Sequence, residues 1–139
     1  MYKMSSKSFN IIIAEDDLDD VELFIRAIWE ISLSVSIDVV RDGMELLDRL
    51  NDEDKTLPDI IFLDLNMPIL DGFDSLKLIR KNKKFDHIPI TIFTTSNRDT
   101  DIKNVYSGGA DFYIQKPNSY KDLFEIFKDQ LHKVNDSVK

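Results

Sequence analysis

The sequence predicts an α/β fold: a doubly wound, five-stranded parallel sheet with helices on both faces. Three observations point to it. Four short apolar runs each close on a polar group, IIIAEDD on Glu15 and Asp16, IIFLDLNMP on Asp64, ITIFTTS on Thr94 and FYIQKP on Lys116. Runs rich in Ile, Val and Phe and bounded by turn residues read as strands buried on both faces, which belong to parallel sheets sandwiched between helices. Strand and helix signals also alternate along the chain, the pattern of βαβ units. In an open sheet of this kind a ligand sits beyond the carboxyl ends of the strands, where the strand order reverses. The polar groups that close the runs are therefore expected to converge.

The elements follow in order. Residues 9–15 read as the first strand. Val21, Phe24, Ile25 and Ile28 recur at i, i+3, i+4 and i+7, so residues 19–31 are expected to form a helix with one apolar stripe. Val35, Ile37 and Val39 alternate with polar neighbours, as in an edge strand with one covered face. Asp42-Gly43 is expected to turn the chain into a short helix over residues 44–50, after which the acidic loop NDEDK and Pro58 lead into the buried third strand. NMPILDG, with Pro68 and Gly72, reads as a loop over the strand ends, and helical spacing resumes over residues 73–80. Pro89 opens the fourth strand; Ile102, Val105 and Tyr106 place a helix that Gly108-Gly109 stops. The last strand spans residues 112–116. Ser119 caps a final amphipathic helix carrying Leu123, Phe124, Phe127, Leu131 and Val134, and the polar tail NDSVK is expected to fray.

The chain has 139 residues, 42% of them hydrophobic, which suits one domain over residues 1–139 with a core at about residues 9–134 and no second, output domain. With no cysteine and only His87 and His132, thiolate and zinc sites are excluded, so any metal must be held by oxygen. MYKMSSKSFN lacks the apolar stretch of a signal peptide or membrane span, so a cytoplasmic location is expected. A net charge of −8 disfavours direct binding to nucleic acid.

The strand-end residues make the parts of a phosphoryl-acceptor site. Asp64 closes an entirely apolar run, where an unpaired carboxylate is costly, and the open loop after it admits a partner. As a nucleophile it would form an aspartyl phosphate. Glu15 and Asp16, with Asp64, offer hard oxygen ligands suited to Mg2+ or Mn2+. Asp17 reads as a solvated residue or helix N-cap. Two unit charges about 4 Å apart interact by about 4 kcal/mol at an effective dielectric of 20, a large share of the roughly 5–15 kcal/mol that holds a domain together. Three clustered acids therefore strain the metal-free fold, and Lys116 offsets part of the repulsion before pairing with a phosphoryl oxygen. The Thr94 hydroxyl, assisted by the Thr95 N–H, can donate to another. Because Lys116 must turn sharply toward the site, its bond to Pro117 is expected to be cis.

At these residues the chain resembles the response-regulator receiver family of two-component signalling, over about residues 10–131. The resemblance implies a flavodoxin-like sheet of order 2-1-3-4-5. It implies Asp64 as phospho-acceptor, with Lys116 and Thr94 completing the catalytic set. The cation would be held by Glu15, Asp16, Asp64 and the backbone carbonyl of Asn66, and Tyr113 would be the aromatic that switches with Thr94. It implies phosphate received from a sensor histidine kinase or phosphotransfer protein, and output by contact with another protein. The face of the fourth helix, last strand and last helix, with Tyr106, Tyr113 and Lys121, would serve for signalling or homodimer formation. The segments LDLNMPILDG, TTS and GADFYIQKP are similar to the short receivers that partner phytochrome kinases. Such a protein is a phospho-acceptor rather than an enzyme, with self-phosphorylation from small donors and autodephosphorylation left open.

Competing readings are weaker on specific residues. Phosphohydrolases of the haloacid-dehalogenase type carry their nucleophile after the first strand and a second Asp two residues on, whereas Asp64 follows the third strand and is followed by Asn66. A non-phosphorylated pseudo-receiver would not need every chemical position filled. A nucleotide-binding flavodoxin-like module would need a glycine-rich loop after the first strand, and none is present.

Overall fold

The computed structural model describes residues 9–32 and 34–138. Strands β1 (Phe9–Ala14), β2 (Val35–Val40), β3 (Ile60–Leu63), β4 (Ile90–Thr94) and β5 (Phe112–Gln115) alternate with helices α1 (Leu18–Ile31), α2 (Gly43–Leu50), α3 (Gly72–Lys81), α4 (Asp99–Ser107) and α5 (Tyr120–Val138). The strands pair in parallel in the order β2-β1-β3-β4-β5. After β1 the chain goes outward to β2 and returns across β1 to β3, so the order reverses between β1 and β3. That reversal opens the crevice above Glu15 and Asp64.

Side chains alternate across each strand and divide the core in two. Ile11, Ile13, Ile60, Phe62 and Phe93 face α1 and α5, where Phe24 and Phe127 close the packing. The rings meet edge to face, Phe24–Phe93 at 5.1 Å and Phe62–Phe127 at 5.0 Å between centroids, the arrangement that aromatic quadrupoles favour. Ile12, Ala14, Ile61, Leu63, Ile90 and Ile92 face the other way, with Leu46, Leu76 and Val105 from α2, α3 and α4. β2 is an edge strand, its Val35, Ile37 and Val39 half-buried under the α1 side.

Several expectations are corrected. Asp42 does not turn the chain with Gly43; its carboxylate accepts from the Glu45 N–H at 2.9 Å and caps α2, of which Gly43 is the first residue. Asp-Gly suits a turn and a helix start equally, and the Glu three residues on decides for the cap. Val105 is the buried residue of α4, while Tyr106 is 47% exposed, as a residue of the expected contact face would be. A 3-10 turn at Lys83–Phe85, unforeseen, anchors Phe85 in the core. The tail expected to fray is helical through Val138, and Lys139 lies outside the described residues, as does the N-terminal segment before Phe9. Ser119 caps α5 as expected, accepting from the Asp122 N–H. Gly109, at φ +106, ends α4 in a conformation that favours glycine.

Candidate functional site

Each strand delivers its terminal residue to one end of the sheet. The Glu15 N–H donates to the Val40 carbonyl, and the Asp64 N–H to that of Ala14, so both acids leave the sheet from hydrogen-bonded positions. The loop after Asp64 is pulled back over β3 by the Gly72 N–H donating to the Leu65 carbonyl at 3.0 Å. A Cβ on Gly72 would collide with the Asp64 backbone, so only glycine permits this approach. At the mouth, α1 begins with Asp17 as its N-cap, which accepts from the Asp19 and Asp20 N–H groups and so is turned away from the site.

Glu15, Asp16 and Asp64 each place a carboxylate oxygen within 4.8 Å of the others. Glu15 and Asp64 are buried and Asp16 is exposed, so the cluster opens to solvent on one side. The Asn66 N–H donates weakly to Asp64 Oδ1, at 3.4 Å, which seats residue 66 beside the acid. Lys116 reaches in from the end of β5. Its Nζ lies 2.6 Å from Glu15 Oε1, 2.9 Å from Asp20 Oδ2 and 3.4 Å from Asp64 Oδ2. The contact with Glu15 is a close ion pair that leaves the buried oxygen without an aligned hydrogen bond.

Burial pushes the Glu15 carboxyl up to about 7; the close contact with the Lys116 ammonium pulls it back, and the charge of Asp64 pushes it further. Burial alone would lower the Lys116 ammonium, but Glu15, Asp20 and Asp64 together outweigh it and hold that group above the ordinary lysine range. The lysine thus stays charged.

The Lys116–Pro117 peptide is trans, against expectation. The Lys116 N–H pairs with the Thr94 carbonyl at 2.7 Å, which prolongs the β4–β5 pairing by one residue, and the long side chain rather than a backbone turn reaches the acids. Thr94 is fully buried and its hydroxyl has no hydrogen-bond partner among the described residues, an unmet donor at the end of β4. Tyr113 is half-buried against the core, and its hydroxyl donates to the Ser96 carbonyl.

Three residues of this end were not foreseen. Asp20 contacts Lys116; it lies one helical turn before buried Phe24, on the same face of α1, which is the signal that could have marked it. Ser96 and Asp101 are joined by a 2.6 Å hydrogen bond, which together with Arg98 holds the Asp101 carboxyl below its ordinary value. The segment SNRDTD carries no periodicity that would single them out.

This geometry has counterparts in known proteins. Residues 11–128 match the family model described as the response regulator receiver domain. The probable methanogenesis regulatory protein FilR2 of Methanothrix harundinacea is 33% identical over 83% of this chain and 76% of its own. Response regulator Rcp1 of Synechocystis sp. is 29% identical over 84% of this chain and 82% of its own. The solved Mn2+-bound form of Rcp1 superposes with a TM-score of 0.81 at 28% identity, covering 88% of this chain and 91% of that one. The phosphorylated cyanobacterial phytochrome response regulator RcpA superposes with a TM-score of 0.83 at 31% identity, covering 90% and 92%.

Proposed function

The chain belongs to the response regulator receiver domain family of two-component signalling, and on that premise we propose that Asp64 accepts a phosphoryl group from the phosphohistidine of a sensor histidine kinase or phosphotransfer protein. The observation that carries this reading is the convergence of Glu15, Asp16 and Asp64 within 4.8 Å, with the Lys116 ammonium facing the two buried acids. A phosphorylated RcpA and a Mn2+-bound Rcp1 among the similar structures support it.

The residues fit a hard divalent cation, Mg2+ or Mn2+, since three carboxylate oxygens converge within 4.8 Å in an all-oxygen donor set. Glu15, Asp16, Asp64 and the Asn66 carbonyl would hold it. When bound, it would neutralise the clustered carboxylates and the charge on the incoming phosphoryl oxygens. A carboxylate oxygen of Asp64 attacks phosphorus; the new O–P bond forms as the donor's P–N bond breaks, and the released imidazole takes up a proton. Lys116 and the unpartnered Thr94 hydroxyl then hold phosphoryl oxygens, with help from the Thr95 N–H.

Output passes through protein contacts, for which the exposed Tyr106 and Lys121 on α4 and α5, flanking β5, form a surface that also suits a homodimer. Among the described residues no helix is long and apolar enough to cross a membrane.

Incubation with acetyl phosphate or a phosphorylated phosphotransfer protein, in the presence of Mg2+, should label the parent and leave Asp64→Asn unlabelled. Equal labelling of the two would place the acceptor elsewhere.

A further inference from the structure

We propose that Asp20, on α1, is a positioning residue that competes with the phosphoryl group for the Lys116 ammonium and so sets how tightly the acceptor site closes on its phosphorylated state. The proposal rests on the reading of Asp64 as the acceptor. An ammonium has three donors, and here three carboxylates surround it, Glu15, Asp20 and Asp64. Asp20 Oδ2 is nearer to Nζ than Asp64 Oδ2 is, 2.9 Å against 3.4 Å. The ammonium therefore leans toward α1 and away from the acceptor.

Asp20 differs from the other two partners in what happens on loading. Glu15 and Asp64 belong to the converging trio whose oxygens would turn to a cation and a phosphoryl group, which weakens their hold on Lys116. Asp20 is outside that trio, and neither ligand displaces it. Its carboxylate goes on pulling the ammonium back while a phosphoryl oxygen requires it at Asp64. The Asp20 side chain is 31% exposed and Lys116 11%, so the pair is of intermediate strength, a counterweight that a doubly charged phosphoryl group can overcome. The Lys116 ammonium also lies 5.9 Å from the centre of the Phe24 ring, one turn along α1 from Asp20, which keeps the lysine on the α1 side of the crevice.

The test uses the whole chain, beryllofluoride as the phosphoryl mimic and constant Mg2+. Asp20→Asn should bind beryllofluoride about threefold more tightly than the parent, the scale of a partly exposed ion pair. Asp20→Glu, which restores the carboxylate, should return toward the parental affinity. By NMR, the Lys116 ε-methylene resonance of mimic-free Asp20→Asn should move toward its position in the mimic-bound parent, a response that a purely structural role would not produce. Asp20→Ser provides the same readouts should the asparagine variant fold poorly. Equal or weaker mimic binding without the carboxylate, or an unmoved Lys116 resonance, would overturn the proposal. A parent that binds no beryllofluoride would instead overturn the acceptor reading, and this inference with it.

Discussion

The Tyr113 hydroxyl donates a 2.5 Å hydrogen bond to the backbone carbonyl of Ser96, two residues beyond Thr94. It ties the aromatic of β5 to the loop that follows the candidate site. The Ser96 hydroxyl in turn donates to Asp101 in the first turn of α4, so β5, loop and helix are linked by two consecutive hydrogen bonds. On the proposal that the Thr94 hydroxyl turns to a phosphoryl oxygen, the loop is expected to shift with it and the bond to Tyr113 to break.

Beryllofluoride should accordingly shift the Tyr113 ring resonances in the parent, turning the ring inward, and do so less completely in Thr94→Ala. A ligand shifts such an equilibrium only by its differential affinity for the two states. Tyr113 resonances unchanged on saturation of the parent would refute the coupling and leave Asp64 as acceptor.

Magnesium should raise the melting temperature by binding the folded chain, with about 2.7 kcal/mol of added stability at a hundredfold excess over its dissociation constant. Asp16→Ala should remove that response, because the exposed member of the trio is the one open to an arriving ion. Equal thermal shifts in the two proteins would remove Asp16 from the ligand set.

Stability of the metal-free chain should fall as pH rises from about 5 to about 7. The Glu15 carboxyl is raised from its ordinary 4.5 to about 7, chiefly by burial, so over that window the folded chain holds a proton that the unfolded chain has released. The folded state binds more protons, and the slope of stability against pH is negative for this group. Urea denaturation at the two ends of the window measures it. Glu15→Gln should flatten the slope, and a slope unaltered by that change would assign it to other groups.

Arg80→Ala should cost about 2–4 kcal/mol, seen as a lower urea midpoint. The Arg80 guanidinium donates to the carbonyls of Gly109, Phe85 and Ile88 and pairs with Asp111, thereby joining α3, the 3-10 turn, the start of β4 and the α4–β5 connection. Arg80→Lys should recover little, because one ammonium cannot reproduce the fork of donors. A midpoint shift below about 1 kcal/mol in Arg80→Ala would show that water replaces these bonds without loss.

The elements of this protein were legible in its sequence because local physics sets them. The continuous burial of Ile11 to Ala14, the stripe of Val21, Phe24 and Ile28, and the stop at Gly108-Gly109 each depend on near neighbours. The identity of the strand-end acids, hydroxyl and lysine was legible for the same reason, as each closes an apolar run. Partners far apart in sequence were decided only when the ends of β1, β3, β4 and β5 were stacked on one side of the sheet. Lys116 and Asp20 are 96 residues apart, and nothing local to either shows that a helix start and a strand end will meet. The same holds for Tyr113 with Ser96, and for Arg80, read as a polar residue ending a helix and found to bind the carbonyl of Gly109, 29 residues on. Periodicity specifies which face of an element is buried; which polar groups then share a crevice depends on the order and register of the strands, and those are fixed by packing of the whole core.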